Sequence, residues 1–195
     1  MNKKVLLVIA SRDFQIIEYE TPKAILEKAG IGVVTVSDGE SPNGAPLGAV
    51  ASNGKKVKID LVIGDPSLTL PYEGRENFLS EYGGLFIVGG EGALEHLDNE
   101  ASYQLLKKWS DFAKATPGRP YGAICISTRI LAHAGVLQGK KATGWNGDDK
   151  LPDILSSVGA EFVDQPVVVD GNVVTGNGPE AAGEWGEAIT KILGY

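Results

Sequence analysis

The chain contains little of several residue types on which common classes of protein depend. Its 195 residues include one cysteine and two histidines. One cysteine excludes an internal disulfide, and no group of Cys and His has the spacing of a metal site. No stretch approaches the roughly 18 consecutive apolar residues that a membrane-spanning helix requires. We therefore expect a cytoplasmic protein with no disulfide, no metal centre and no membrane segment.

The chain also lacks an excess of basic residues. Lys and Arg number 18 against 25 Asp and Glu, which gives a formal net charge of -7 at pH 7. Because binding to nucleic-acid phosphates needs a clustered basic face, this balance argues against a nucleic-acid partner. The glycine-rich stretches Gly39–Gly48 and Gly89–Gly92 match neither a dinucleotide fingerprint nor a phosphate-binding loop. A site without a cofactor is the simplest expectation.

The residues that are present follow two alternating patterns. Continuous apolar runs predict buried strands at Lys4–Ala10, Gly32–Val36, Val57–Ile63, Gly84–Val88 and Tyr121–Ile124. Helical spacing predicts helices at Asp13–Ala29, Ala93–Leu97, Ala101–Ala115, Asp149–Val158 and Glu180–Leu193. A hairpin is predicted for Pro166–Val169 and Asn172–Thr175 around Asp170-Gly171. This alternation indicates one α/β domain, residues 1–195, with a mostly parallel sheet covered on both faces.

Two polar segments interrupt the pattern. Asp38–Lys56 is rich in Gly, Asn, Ser and Pro, which predicts a loop or a small hairpin. Pro66–Glu81 is predicted to be a polar connection that contains a short helix.

The only cysteine follows one of the predicted strands. Cys125 comes directly after Tyr121–Ile124 and before a run whose apolar residues recur at helical spacing. A strand that turns sharply into a helix here would hold the sulfur above the carboxyl ends of the sheet, where open α/β folds bind ligands. The helix N-terminus would favour the reactive thiolate. A lone cysteine in an apolar run can equally be an inert packing residue, and these residues leave both interpretations open.

Loops that begin at Ser11, at Gly89 and at Cys125 follow predicted strands and should meet at one end of the sheet. Glu18, near the start of the first helix, is either a solvated surface residue or a carboxyl beside the sulfur. In the second case it is either an ionised base or a protonated group bonded to a thiolate. Gly89-Gly90 either forms a simple tight turn or exposes backbone N–H groups for an oxyanion hole.

Two stretches resemble one known group of proteins. AICISTRILAHAGVLQGKKATGW, residues 123–145, is similar to the nucleophile-elbow region of the ThiJ/PfpI superfamily, whose members carry an A-x-C turn, a helix and a G-x-K/R-x-T strand. VVVDGNVVTGNGPEAAGEWGEAI, residues 167–189, resembles another conserved pattern of that superfamily. The superfamily is class I glutamine amidotransferase-like and includes the parkinsonism-linked protein deglycase and PfpI-type intracellular proteases.

The resemblance covers nearly the whole chain and implies a flavodoxin-like three-layer sandwich with a nucleophile elbow. It also implies a homodimer. The implied catalytic residues are Cys125 and Glu18; Glu18 precedes Ala29-Gly30 in the fitting register and is preferred to Glu20. The remaining implied site residues are the oxyanion-hole N–H groups of Gly90 and Ile126 and the pocket residues Gly89, Ser127 and Trp145.

Several residues depart from the superfamily pattern near the cysteine. Ile126 stands where protease-like and chaperone-like members place a histidine, and an aliphatic side chain cannot transfer protons. Ser127-Thr128 replaces a Gly-Pro pair. Trp145 occupies the region where the deglycase branch has a histidine, and it is expected to form an apolar wall of the pocket and offer one indole N–H.

Other polar residues are given ordinary roles at this point. We interpret His96, His133 and Glu95 as surface or helix-end residues. Asp148-Asp149 is interpreted as a helix N-cap, although one of the two could reach the pocket.

These observations favour a cofactor-independent cysteine enzyme that acts on a small electrophilic molecule. Addition of the Cys125 thiolate to the aldehyde of methylglyoxal, as in glyoxalase or deglycase members, is the leading hypothesis. The alternatives are a hydratase of the isocyanide type and a non-enzymatic oxidative-stress sensor or chaperone. Peptidase or amidase activity is disfavoured because of Ile126.

Overall fold

The main sheet runs through the middle of the molecule. A computed structural model describes residues 4–39, 48–64, 68, 78–116 and 118–195. In these ranges seven strands form the sheet, and every neighbouring pair is parallel except the first. In sheet order they are β11 (Val167–Asp170), β12 (Val173–Gly176), β8 (Tyr121–Ile124), β7 (Gly84–Ile87), β1 (Lys4–Ile9), β3 (Gly32–Ser37) and β6 (Leu61–Val62).

Two smaller sheets lie beside the main one. The first contains β2 (Arg12–Phe14), β4 (Gly48–Ala51) and β5 (Lys56–Lys58). The second pairs β9 (Lys141–Ala142) with β10 (Glu161–Phe162). The first sheet lies next to the site, because only two residues separate the start of β2 from the end of the central strand β1.

Helices cover both faces of the main sheet and complete a flavodoxin-like three-layer sandwich, as predicted. Helix α1 packs against α6, and α4 packs against α3 and α5. Within the described ranges, no helix is long and apolar enough to cross a membrane. The bounds are α1 (Ile16–Lys28), α2 (Gly92–His96), α3 (Glu100–Ala115), α4 (Thr128–His133), α5 (Leu151–Ser157) and α6 (Ala182–Ile192), with 3₁₀ turns at Phe78–Glu81, Cys125–Ser127 and Pro179–Ala181.

The core is built on the central strands and on two tryptophans. Residues 5–9 of β1 are all buried, as a strand in the middle of a parallel sheet requires. Trp109 and Trp185 are both 0% exposed. Their indole N–H groups donate to the backbone oxygens of Pro120 and Val174, each at 3.2 Å. Each ring therefore contributes a large apolar area to the core without leaving a buried donor unpaired.

Two predicted elements differ from the structure. The predicted strand Val57–Ile63 is divided between β5 and β6, because the chain leaves the small sheet at Asp60, whose backbone and carboxylate both bond to Thr35 of the main sheet. The first helix begins at Ile16 rather than Asp13, since Asp13 has a φ of 55° and belongs to β2. Gln15 caps the helix by accepting the N–H of Ile17.

The predicted hairpin, the buried strands of the main sheet and the remaining helices are confirmed to within a few residues. The two polar segments are described only in part. Residues 48–56 belong to β4, β5 and their turn, which agrees with a small hairpin. Residues 40–47, most of the predicted connection 66–81 and most of the glycine-rich stretch Gly39–Gly48 lie outside the described residues.

Candidate active site

Cys125 lies on a sharp turn between a strand and a helix, as the sequence predicts. Strand β8 ends at Ile124, a 3₁₀ turn covers Cys125–Ser127, and α4 follows directly. The φ of Cys125 is 62°, which is the left-handed region that residues with a side chain rarely adopt. Such backbone strain is found preferentially at functional sites. Cys125 as a whole is partly buried.

The Glu18 carboxyl lies against the cysteine. Glu18 is in the first turn of α1 and is 0% exposed. Its Oε2 accepts the backbone N–H of Gly89 at 3.0 Å, and the carboxyl also interacts with the thiol of Cys125. A Cβ added at Gly89 would lie 2.7 Å from both Cys125 Cβ and Glu18 Oε2. The absence of a side chain at position 89 therefore leaves the space in which Glu18 and Cys125 approach each other.

The second carboxyl oxygen of Glu18 is a buried polar atom with no hydrogen bond of ordinary geometry among the described residues. Buried polar atoms in folded proteins almost always have a partner. The thiol of Cys125 is the group with which this carboxyl interacts apart from the Gly89 amide. Glu18 is thus held on one side and open for interaction on the other.

The electrostatics of the pair follow from burial. Loss of solvent raises the pKa of Glu18 to about 7, although the contacts with Cys125 and Gly89 partly oppose the rise. Burial, and then the charge and hydrogen bond of Glu18, raise the pKa of Cys125 to about 12. The expectation of a thiolate favoured by the following helix is therefore not met while Glu18 is ionised. A thiolate forms when the shared proton moves from the sulfur to Glu18.

Two backbone N–H groups support that transfer. The amides of Ile126 and Gly90 form hydrogen bonds to Cys125 and lower the pKa of its thiol. These are the two groups that the sequence predicts as an oxyanion hole, and in the structure both form hydrogen bonds to Cys125. No cation is required to bring a partial positive charge to this point.

The glycine loop reaches this position because it lies flat on the segment after β1. The N–H of Gln15 donates to the oxygen of Gly89 at 2.9 Å. Gly90 has a φ of 118°, and a Cβ there would be 2.4 Å from the nitrogen of Gln15. Any side chain at Gly90 would push the loop away from β2 and turn its N–H from the sulfur. The Gly-Gly pair is therefore needed for close approach as well as for the turn.

Two side-chain hydroxyl groups form hydrogen bonds from the elbow to neighbouring backbone segments. The Oγ of Ser127 donates to the oxygen of Val88 at 2.8 Å, and the Oγ1 of Thr128 donates to the oxygen of Thr143 at 2.9 Å. Both side chains are fully buried. The hydroxyl of Ser127 supports the backbone that leads into the glycine loop, and its place in a pocket stays a prediction.

Trp145 lies beside the elbow and is part of a cluster that the sequence does not reveal. Its backbone N–H donates to the oxygen of Cys125 at 3.0 Å, and its side chain is 38% exposed. The guanidinium of Arg129 lies 5.3 Å from the centroid of the indole ring. Arg129 also forms a two-point bond with Asp148, with Nη1–Oδ2 at 3.1 Å and Nη2–Oδ1 at 2.5 Å. An arginine in an otherwise apolar helix pattern hints at a buried ion pair here, but it does not identify Asp148 or Trp145 as the partners.

Neither Asp148 nor Asp149 is the N-cap residue of α5, which is Lys150, although Asp148 Oδ1 accepts the N–H of Lys150 at 3.3 Å. Asp148 is engaged by Arg129, and the φ of Asp149 is 58°. The side chain that bonds the first residue of α5 belongs to Asn146, whose Oδ1 accepts the N–H of Leu151 at 3.0 Å. Because the backbone at Asp149 has a positive φ, the side chain that reaches the N–H of Leu151 is the earlier residue Asn146 and not Asp149.

The remaining polar candidates lie apart from the sulfur. His96 is 3.3 Å from Asp38, and His133 is 2.9 Å from Asp98, so neither histidine contacts Cys125. Glu20 forms an ion pair with Lys55 and Glu95 is exposed. Among the residues that the structure describes, no three His, Cys, Asp or Glu side chains are grouped as metal ligands. Glu18 is the acid that meets Cys125.

Known proteins are similar to this chain in sequence and in fold. An uncharacterized protein of Methanocaldococcus jannaschii is 34% identical over 193 residues, which covers 98% of this chain and 83% of the relative. An uncharacterized protein of Staphylococcus aureus is 33% identical over 195 residues and 99% of each chain. A ThiJ/PfpI domain protein from Brachyspira murdochii has the same fold, with a TM-score of 0.81, 24% identity and coverage of 98% of this chain and 96% of that one.

DJ-1beta of Drosophila melanogaster also has this fold, with a TM-score of 0.78 and 22% identity over 99% of this chain and 91% of that one. A family model described as the DJ-1/PfpI family matches residues 3–192, and therefore almost the whole sequence. The chain belongs to the DJ-1/PfpI family.

Proposed function

We propose that this protein is a cofactor-independent cysteine enzyme that converts a small reactive aldehyde, in the manner of a glyoxalase or deglycase. The observation that carries the proposal is the fully buried Glu18 carboxyl, held by the Gly89 amide and in contact with the thiol of Cys125. A buried acid without a cation is costly, and its retention beside a nucleophile is a mark of proton transfer. Family membership alone leaves the reaction open.

In the first step, the Glu18 carboxylate accepts the thiol proton as the sulfur attacks the aldehyde carbon. A new C–S bond forms, and the carbonyl π electrons move to the oxygen. The Gly90 and Ile126 amides, which form hydrogen bonds to Cys125, stabilise the charge on this oxygen in the proposed step. The product of the step is a hemithioacetal anion with its proton stored on Glu18.

For methylglyoxal, the second step moves hydrogen between neighbouring carbons. A base, Glu18 after it has returned its proton, removes the C–H proton of the former aldehyde carbon, and the adjacent ketone carbon receives a proton. The first carbon is thereby oxidised to a thioester and the second reduced to an alcohol, so no external oxidant is needed. Water then cleaves the thioester, which releases lactate and restores the thiol. The pKa of Glu18, about 7, suits a group that both accepts and donates protons.

Lactate formation from methylglyoxal tests this proposal. We expect Cys125→Ser and Glu18→Gln to reduce the rate by at least about 100-fold, the usual contribution of a nucleophile or a general base. Glu20→Gln is the matched control, because Glu20 is an exposed acid two residues away on the same helix. Rates equal to the parent in both test variants would reject the proposal. A substrate panel that includes an isocyanide distinguishes the hydratase alternative.

A peroxide sensor is a second candidate, favoured by the open Oε1 of Glu18 beside the sulfur. Two equivalents of peroxide would each add one oxygen atom to Cys125 and leave as water, giving a sulfinate. Its oxygens could accept the Gly90 and Ile126 amides and a protonated Glu18. Mass spectrometry after mild peroxide treatment should find two added oxygens on Cys125. Oxidation confined to Met1 would reject the sensor hypothesis.

We further propose that the protein acts in the cytoplasm as a homodimer. Ile17, one residue before Glu18, is 50% exposed, and a large apolar side chain at such a position is suited to a contact between copies. Sedimentation at micromolar concentration should give twice the 20.5 kDa mass of the chain. A monomer mass at this concentration would contradict the assembly without affecting the chemistry of the cysteine.

A further inference from the structure

The position of Trp145 is fixed relative to the cysteine by its backbone. Its N–H donates to the oxygen of Cys125 at 3.0 Å. The chain can pass this close because residue 144 is glycine: a Cβ there would lie 2.8 Å from Thr128 Cβ and 2.9 Å from the oxygen of Cys125. The backbone of residue 145 is therefore held against the elbow, at the residue that carries the nucleophile.

The orientation of the indole ring is also fixed. The Arg129 guanidinium lies 5.3 Å from its centroid, within the range of a cation–π contact. The ring edge lies against Gly147, where a Cβ would be 2.6 Å from indole Cζ2. An exposed tryptophan that is packed in this way loses little further freedom when a ligand stacks on it.

Arg129 itself is held by Asp148. Arg129 is only 6% exposed, and its two terminal nitrogens bond the two carboxylate oxygens of Asp148. Its Nε is a buried donor without a partner among the described residues. The ion pair and the indole are thus the contacts that define where the guanidinium lies. Asp148 orients Arg129, and Arg129 orients Trp145.

We infer that Arg129 and Asp148 are positioning residues that hold the Trp145 indole as a rigid apolar wall at the mouth of Cys125, and that this wall selects electrophiles with a flat apolar group beside the reactive carbon. The inference rests on the proposed function and names its substrate class: an arylglyoxal is preferred to methylglyoxal. A planar aryl group can stack on the indole while the aldehyde carbon reaches the sulfur. A methyl group covers little of the ring.

The ratio of kcat/KM for phenylglyoxal to that for methylglyoxal tests this selectivity. We expect Trp145→Ala to lower the ratio about 10-fold, and Arg129→Met and Asp148→Asn to lower it about 3- to 10-fold, within the discrimination that an apolar pocket provides. In Arg129→Met and Asp148→Asn the change should fall on KM for the aryl substrate, while kcat for methylglyoxal in these two variants stays within about twofold. Asp148→Glu keeps a carboxylate for Arg129 and should restore most of the ratio. An unchanged ratio in all three disruptive variants would overturn the inference.

A second measurement does not depend on any enzymatic activity. Cys125 is the only cysteine of the chain, so alkylation by phenacyl bromide and by iodoacetamide can be followed in the intact protein. The parent should show a preference for the aryl reagent that Arg129→Met and Asp148→Asn reduce about 3-fold or more, measured against the same two reagents on free cysteine. This preference should persist even if methylglyoxal is not a substrate, which separates failure of the wall from failure of the proposed reaction. No aryl preference in the folded parent would refute the wall.

Trp145 also provides a direct signal of its own mobility. Trp109 and Trp185 are 0% exposed, so acrylamide quenching of the native protein reports mainly on Trp145. Arg129→Met and Asp148→Asn should increase quenching, and Asp148→Glu should return it towards the parent value. A purely structural ion pair would lower thermal stability but leave quenching and the aryl preference unchanged, and that result would contradict the positioning role.

Discussion

Two carboxyl groups are connected to the elbow, and their surroundings are opposite. Glu18 is fully buried, has one backbone donor and meets a thiol rather than a cation, and the pKa of this carboxyl is raised to about 7. Asp148 is partly exposed and bonded at both oxygens by Arg129, which lowers its pKa. Removal from water dominates at Glu18, whereas an opposite charge dominates at Asp148.

The difference separates a reactive group from a supporting one. Asp148 compensates the charge of a buried arginine, so its retention follows from folding and packing alone. The Glu18 carboxyl has no cation among the groups that shift its pKa, and its ionised form is destabilising because the carboxyl is buried. The proposed function explains a carboxyl of this kind by proton exchange with Cys125. The following predictions test this difference between the two carboxyl groups.

The largest expected effect is on catalysis. Glu18→Gln keeps the shape of the side chain but cannot accept the thiol proton, so kcat/KM for methylglyoxal should fall about 100- to 10,000-fold. Asp148→Asn should change the same quantity by less than about threefold, because its effect is directed to the aryl part of a substrate. Steady-state kinetics of both folded variants make the comparison. Equal losses would mean that the two carboxyls do not differ in role.

The next effect is on the pH dependence of stability. The pKa of Glu18 is raised from 4.5 to about 7 on folding, so its stabilising contribution is complete below pH 4.5 and is lost as pH rises through 7. Glu18→Gln removes this loss. The free energy of unfolding of the variant minus that of the parent should therefore be greater at pH 8 than at pH 4, by up to roughly 3 kcal/mol. Urea unfolding at the two pH values measures it.

Asp148 should respond with the opposite sign. Its pKa is lowered in the folded state, so its contribution is present above the unfolded pKa and disappears as pH falls. Asp148→Asn should therefore lower Tm at pH 8 and have less effect in acid. A stabilising Asp148→Asn at pH 8, or a Glu18→Gln variant that is destabilised at least as much at pH 8 as at pH 4, would contradict the assignment of the two environments.

A smaller effect is expected from Gly89→Ala. The added Cβ would lie 2.7 Å from both Cys125 Cβ and Glu18 Oε2, and also 2.9 Å from the oxygen of Ile124. Overpacking of this kind costs about 1–3 kcal/mol, and it should also force the carboxyl and the thiol apart. Gly183→Ala is the matched control, since a Cβ there meets no atom within 4 Å. If both variants keep parent stability and activity, the close approach at Gly89 is not required.

The smallest effect belongs to the support of the glycine loop. Ser127→Ala removes the bond from Oγ to the oxygen of Val88 and should cost about 1 kcal/mol of unfolding free energy. Activity should fall less than about 10-fold, because the Gly90 amide is displaced only slightly. Thermal unfolding and methylglyoxal kinetics check the two parts. A loss as large as that of Glu18→Gln would place Ser127 in the reaction itself.

Sequence patterns predict the backbone of this site better than its side-chain contacts. The apolar run of β8 and the helical spacing after it locate the elbow at Cys125, because both patterns are local. The partners of Ser127 and Arg129 are not local: Val88 is 39 residues away and Asp148 is 19 residues away. Because these contacts depend on distant partners, local patterns reveal neither the bond from Ser127 to Val88 nor the role of Arg129.

The pairing of Glu18 with Cys125 required more than a local pattern. Position on the first helix alone is compatible with a solvated acid, as Glu20 two residues later is in fact. The resemblance to the ThiJ/PfpI superfamily supplied the choice, and the fold explains it, since α1 starts after a loop that packs on Gly89-Gly90. The raised pKa of Cys125 could not be expected from the helix that follows it, because burial and the Glu18 charge oppose that effect.

The most direct test is the rate of Cys125 alkylation by iodoacetamide as a function of pH, in the parent and in Glu18→Gln. If Glu18 and Cys125 share one proton, the parent rate should rise with a midpoint near pH 7, the pKa of Glu18, and then remain constant. Glu18→Gln should lose this midpoint entirely. A midpoint of about 8.5, that of an ordinary thiol, in both proteins would contradict the coupled pair.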